Sequence, residues 1–152
     1  MKPNRLNRFS LLCSLICYLI VCCPPTLTAQ QQPREVVRIL AVGNSFSDDG
    51  VEYLDELAKA AGIRLIVGNL YIGGCSLERH WENVSKGLPA YDYRKNCEGV
   101  QSNTPKTSLL SALQDEPWDY ITVQQVSQNS GLYDTYYPFM PSLLQYLRTH
   151  AT

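Results

Sequence analysis

The stretch Ile39–Gly50, ILAVGNSFSDDG, decides how the rest of the chain is read. An apolar, largely β-branched run (Val36, Val37, Ile39, Leu40, Ala41, Val42) stops at Gly43-Asn44-Ser45, and helical spacing begins after a short polar turn. Continuous apolarity followed by Gly and a helix is the pattern of a buried parallel strand feeding an α/β turn. Ligands bind at the carboxyl ends of strands in such sheets, which puts Ser45 at the functional edge. The position suits a helix cap as well, a role open to Ser45 or Ser47.

Toward the C-terminus, Asp49 and Glu52 stand at capping-box spacing. Val51, Leu54, Leu57, Ala58 and Ala61 make one apolar face, and Gly62 sits where a C-terminal cap belongs. Ile63–Leu70 reads as a second strand, closing a right-handed β-α-β unit with a parallel pair. That strand runs into Tyr71-Ile72-Gly73-Gly74-Cys75-Ser76, and Ser76 can cap a helix over Leu77–Lys86. Residues Gly87–Lys106 lack helical period and suggest either a hairpin or an excursion over the site. Thr107–Gln114 reads as a short helix packed through Leu109, Leu110 and Leu113. Tyr120–Val123 is a third strand, emptying into Gln124–Gly131 (QQVSQNSG). Pro141–His150 is a helix with Leu143, Leu144 and Leu147 on one side. In a parallel sheet the three glycine-bearing turns converge at one edge, supplying a hydroxyl, free N–H groups and amide donors together.

The 152 residues allow one domain, and 45% hydrophobic with 18% charged residues is a globular composition. Residues 1–29 read as a signal peptide: Lys2, Arg5 and Arg8 form a basic segment, and Leu11–Cys23 an apolar one too short to span a bilayer comfortably. Cleavage at Ala29-Gln30, lipoprotein processing at Cys22 or Cys23, and an uncleaved anchor all remain open. The expected location is exported, periplasmic or extracellular, with membrane association only in the lipidated or uncleaved forms. Three of the 13 bases and none of the 14 acids lie in that leader, so residues 30–152 carry four more acids than bases. An acidic body argues against nucleic acid as partner. Four of six cysteines are in the leader; the other two, Cys75 and Cys97, could pair in an oxidising compartment or stay free. Ligand spacing for a structural metal is absent, and no cofactor is expected.

VGNSFSDDG resembles the first block of the SGNH hydrolases (GDSL-like lipases and esterases), with Asn44 in place of the usual Asp of the Gly-Asp-Ser core. The fuller pattern, GNSFS, then NLYIGGCSLERHW, then WDYITVQQVSQNSG, resembles a bacterial branch of unassigned function and covers about Val37 to Gly131. The resemblance implies an α/β fold, a three-layer α/β/α sandwich with a parallel, flavodoxin-like sheet over residues 30–152, here incomplete. It implies Ser45 as nucleophile, its N–H also facing the oxyanion, and Gly74 or Gly73 as second oxyanion donor. Val126, Gln128 and Asn129 fall on the Gly, Asn and Asp of the third block. Gln128, or Gln125 or Asn129 if the loop bends differently, would donate an amide. Asn44, Gly73, Gln125 and Asn129 are thereby expected near substrate.

The base of that family lies in a C-terminal Asp-x-x-His block, and neither His80 nor His150 follows an Asp at that spacing. Triad members act as a unit, so the chain as it stands is expected to be weak or inactive. Either a continuation holds the base or another group substitutes. His80 could lean toward Ser45 or pack beside Trp81; His150 suits a helix C-terminus. Two functions follow: an exported SGNH-type serine esterase, with acyl groups of glycans as one substrate class, or a non-catalytic carbohydrate-binding module using Tyr91, Tyr93 and Trp81. Oligomeric state is not legible.

Overall fold

The computed structural model describes residues 36–151; the leader, with its cleavage and lipidation alternatives and the boundary at residue 30, lies outside them. Among the described residues, no helix is long and apolar enough to cross a membrane.

The fold is α/β. In chain order the elements are β1 (Val36–Gly43), α1 (Ser45–Val51), α2 (Leu54–Ala61), β2 (Arg64–Tyr71), α3 (Leu77–Ser85), β3 (Tyr91–Cys97), β4 (Val100–Thr107), α4 (Leu109–Leu113), β5 (Tyr120–Val123) and α5 (Phe139–His150). Two 3-10 turns, Ser127–Asn129 and Tyr133–Tyr136, connect β5 to α5. The sheet order is β4-β3-β2-β1-β5. β1 pairs in parallel with β2 from Val36↔Arg64 to Gly43↔Tyr71, and with β5 from Ile39↔Tyr120 to Val42↔Val123. The three strands read from the sequence are thus parallel neighbours ending at one edge.

The expectation of a wholly parallel sheet is corrected by β3 and β4, which extend it antiparallel beyond β2. Most of residues 87–106 form a hairpin within the sheet, β3 and β4 joined by a turn that needs no crossover. Glu98 and Gly99 both take positive φ, 54° and 94°, the geometry of a two-residue turn matched to strand twist.

A second correction concerns the first helix. Asp49 does not cap it: α1 already begins at Ser45, and the Asn44 side chain accepts from Phe46 N at 3.1 Å. Gly50 near the end of α1 weakens helix continuation, and the chain restarts as α2 at Leu54. Gly62, in the left-handed region at φ 73°, closes α2 as expected. Ser76 caps α3 through Arg79 N at 3.2 Å, and Ser108 caps α4 through Ser111 N at 3.1 Å.

Successive side chains of β2 face opposite ways. Asn69 reaches Ser47 and Asp48 of α1, while a Cβ on Gly68 would lie 2.8 Å from the Trp118 ring, on the other face. That second face carries the core, where Leu40, Val42, Ile66 and Leu70 meet Leu77 and Val84 of α3, Leu109 and Leu113 of α4, and Leu143 and Leu147 of α5. Tyr91 and Tyr93 of β3 belong to it, at 1% and 7% exposure, and Trp81 packs against it. Of the three residues expected to bind a carbohydrate, both tyrosines are thus buried and Trp81 is half-buried; alternation along β3 turns the tyrosines inward and leaves Asp92 and Arg94 on the α1 side.

Candidate functional site

The site is built on the carboxyl ends of β1, β2 and β5. Gly43 closes β1, and a Cβ there would sit 2.8 Å from both Gln124 Oε1 and Ser47 Cβ. Only glycine lets the turns after β1 and β5 approach so closely. Asn44 follows, 1% exposed. Its Oδ1 caps α1, and its Nδ2 donates to Cys75 O at 3.1 Å and Gln125 O at 3.5 Å. Gln125, also buried, returns the link: its Oε1 accepts from Leu77 N at 3.0 Å and Val126 N at 2.9 Å, and its Nε2 donates to Thr135 O and Oγ1, each at 3.2 Å. Two buried amides thus lace the three turns into one rim.

Ser45 stands exposed on that rim as the first residue of α1, its hydroxyl without a hydrogen-bond partner among the described residues. Gly73 and Gly74 are exposed in the adjoining turn, and Gly74 takes φ 60° with open space around it. Gln128 lies exposed in the 3-10 turn, its Oε1 accepting from Ser127 Oγ at 3.5 Å; Asn129 beside it is half-buried. Of the residues expected near substrate, Asn44 and Gln125 point their amides inward to hold the rim, whereas Ser45, Gly73, Gly74 and Gln128 face outward. A cavity of about 300 Å³ opens beside Phe46, Gln124, Ser127 and Tyr136.

Neither histidine serves this rim. His80 is fully buried, stacked on Tyr91 at 5.7 Å between ring centroids, its Nδ1 3.0 Å from Tyr91 Oη. Burial holds its pKa down to about 4, so the ring is neutral at physiological pH. His150, on the last turn of α5, stacks on Tyr146 at 4.0 Å with its Nδ1 2.9 Å from Tyr146 O. Cys75 and Cys97 form no disulfide among the described residues: Cys75 is buried, its thiol pushed up to about 11 by burial, and Cys97 is exposed. Among the described residues, no group of three or more His, Cys, Asp or Glu could hold a metal ion.

Several residues of the neighbourhood escape the sequence reading. Gln124 sends a buried Oε1, unpartnered among the described residues, against Gly43. Behind Ser45, Ser47 Oγ donates to Asn69 Oδ1 at 2.9 Å, Asn69 Nδ2 to Asp48 Oδ1 at 2.5 Å, and Arg94 pairs with Asp48. A signal exists for Asn69 alone: one amide inside the apolar run LIVGNL has to be paired when buried.

No curated protein matches the chain. A solved structure, that of a DUF4886 family protein from Bacteroides uniformis ATCC 8492, is 50% identical, with a TM-score of 0.75, over 77% of this chain and 46% of that one. The chain thus spans less than half the length of that relative. The family model described as "Domain of unknown function (DUF4886)" matches residues 38–152. By that match, and by the identity to a solved member, the chain belongs to the DUF4886 family.

Proposed function

We propose that this chain carries the nucleophile and oxyanion part of an exported serine esterase whose sheet belongs to the SGNH-type three-layer sandwich. The parallel order β2-β1-β5, with helices on both faces, supports the fold assignment. The observation that carries the function is the rim laced by Asn44 and Gln125, which ties the turn where Ser45 stands exposed to the turns that carry Gly74 and Gln128. Ser45 Oγ is the attacking atom. The N–H groups of Ser45 and Gly74, with the Gln128 amide, are the donors for the oxyanion that develops on the acyl carbonyl.

The proton of Ser45 needs an acceptor. His80 is sealed behind Tyr91 and His150 is stacked on Tyr146, so the proposal requires a base from beyond residues 36–151. The activity is accordingly proposed for the longer family protein, with acyl esters, those of glycans included, as substrates. The test is hydrolysis of a short-chain acyl ester by the full-length protein. Ser45→Ala should abolish turnover and leave the circular dichroism spectrum unchanged; retained turnover, or none in the native protein, rules the reading out. The withdrawal of both histidines favours the second reading, a non-catalytic carbohydrate-binding module of the same fold, which the same assay separates.

A further inference from the structure

The β3–β4 hairpin extends the sheet past β2, and a cleft of about 390 Å³ lies between that extension and α1. We propose that this cleft binds a neutral oligosaccharide, and that it holds the sugar of a glycan ester whose acyl group is at Ser45. The second half rests on the esterase reading; the first does not.

The wall on the α1 side continues from Ser45. Asp48, Asp49 and Glu52 follow it at i+3, i+4 and i+7, one stripe of a helix. All three line the cleft. Asp48 is held from two sides, by the Asn69 amide at 2.5 Å and by Arg94, whose guanidinium lies 3.9 Å above the Tyr71 ring. Asp49 and Glu52 are exposed and make no ion pair among the described residues. The opposite wall comes from the hairpin. Asn96 and Gln101 are register partners across β3 and β4, so their amides share one face. Asn96 Oδ1 accepts from Gly99 N at 2.7 Å, Gln101 is exposed without a partner among the described residues, and both residues line the cleft. Val51 and Val67 supply apolar surface between the walls.

The chemistry of these walls selects a ligand class. Carboxylates accept and amides donate, which matches vicinal hydroxyls; the valines match the C–H face of a sugar ring. Charge decides against anions. Arg94 is neutralised by Asp48, and Lys95, which also lines the cleft, has its ammonium paired with Asp115 and Glu116, at 2.7 Å each. Asp49 and Glu52 then leave the cleft negative, so a phosphate, uronate or sialate would be repelled.

The experiment uses the full chain carrying Ser45→Ala, fluorescently labelled, on an array of neutral and anionic glycans. Neutral glycans should bind. Gln101→Ala and Glu52→Ala, both at exposed positions, should each weaken binding about tenfold, with an unchanged urea midpoint showing that they fold. No neutral glycan bound, stronger binding of anionic glycans, or neutral binding indifferent to both substitutions would each overturn the proposal. Because Ser45 is absent from the assay, loss of the esterase reading would appear only in the separate hydrolysis test.

Discussion

Asn44 occupies the position from which all three turns are held, and its two ends do different work. Oδ1 must accept, because Phe46 N is an orphan donor at the start of α1; Nδ2 must donate, because Cys75 O and Gln125 O both face it. Asn44→Ala loses a cap worth about 1 kcal/mol and strands two acceptors at about 1 kcal/mol or more. We expect a loss of about 2–4 kcal/mol in urea unfolding. Asn44→Asp is the sharper variant. It keeps the cap but turns an ionised oxygen toward two carbonyls, so its carboxyl pKa in the fold rises above the unfolded value of about 3.9. Its deficit against the native protein should grow as pH rises through that value and shrink on acidification. Equal stability of the two proteins at pH 7 would contradict the inward role of the amide. Which way the Asn44 side chain points depends on carbonyls 31 and 81 residues away.

At the scale of elements, the hairpin is the feature that departs most from the sequence reading. Residues 87–106 leave a hairpin and an excursion equally open because β4, VQSNTPKT, has no apolar face, and Glu98-Gly99 is a weaker turn signal than Asn-Gly. Both facts have one cause. β4 is an edge strand, exposed along nearly its whole length, where polar side chains and Pro105 are tolerated. The turn itself depends on glycine at φ 94°. A Cβ there would meet the flexible end of Lys59 and touch Asp55 Oδ2 at 3.4 Å, an ordinary contact, so the cost of Gly99→Ala is chiefly conformational, about 1–2 kcal/mol. Amide exchange should accelerate across Val100–Thr107 while β1 stays protected; uniform behaviour of the two strands would mean that the turn carries no local strain.

Across the whole molecule, one buried group sets part of the acid stability. His80 sits in the layer between the sheet and the helices, with a pKa held down to about 4 from 6.5. Between those values the unfolded chain takes up a proton that the folded chain refuses. The contribution of a neutral His80 is therefore full above pH 6.5 and is lost as pH falls toward 4, at about 1.4 kcal/mol per pH unit and about 3 kcal/mol in all. His80→Gln, which can still bond Tyr91, should flatten that limb when urea midpoints are compared between pH 7 and 4.5. An unchanged slope would place the acid sensitivity elsewhere.

The separate histories of Ser45 and His80 divide what this sequence determines alone from what the tertiary structure decides. Local signals are short-range physics, and they read correctly: the β1, β2 and β5 runs, the Ser76 cap, the Gly62 stop, and the three glycine-bearing turns. From those alone, a parallel trio with Ser45 on its edge follows. Long-range pairing does not. That Asn44 and Gln125 turn inward, that Tyr91 covers His80, and that Arg94 closes on Asp48 are contacts between residues 11 to 81 positions apart. Such contacts come from strand order and register, which no window of neighbouring residues encodes.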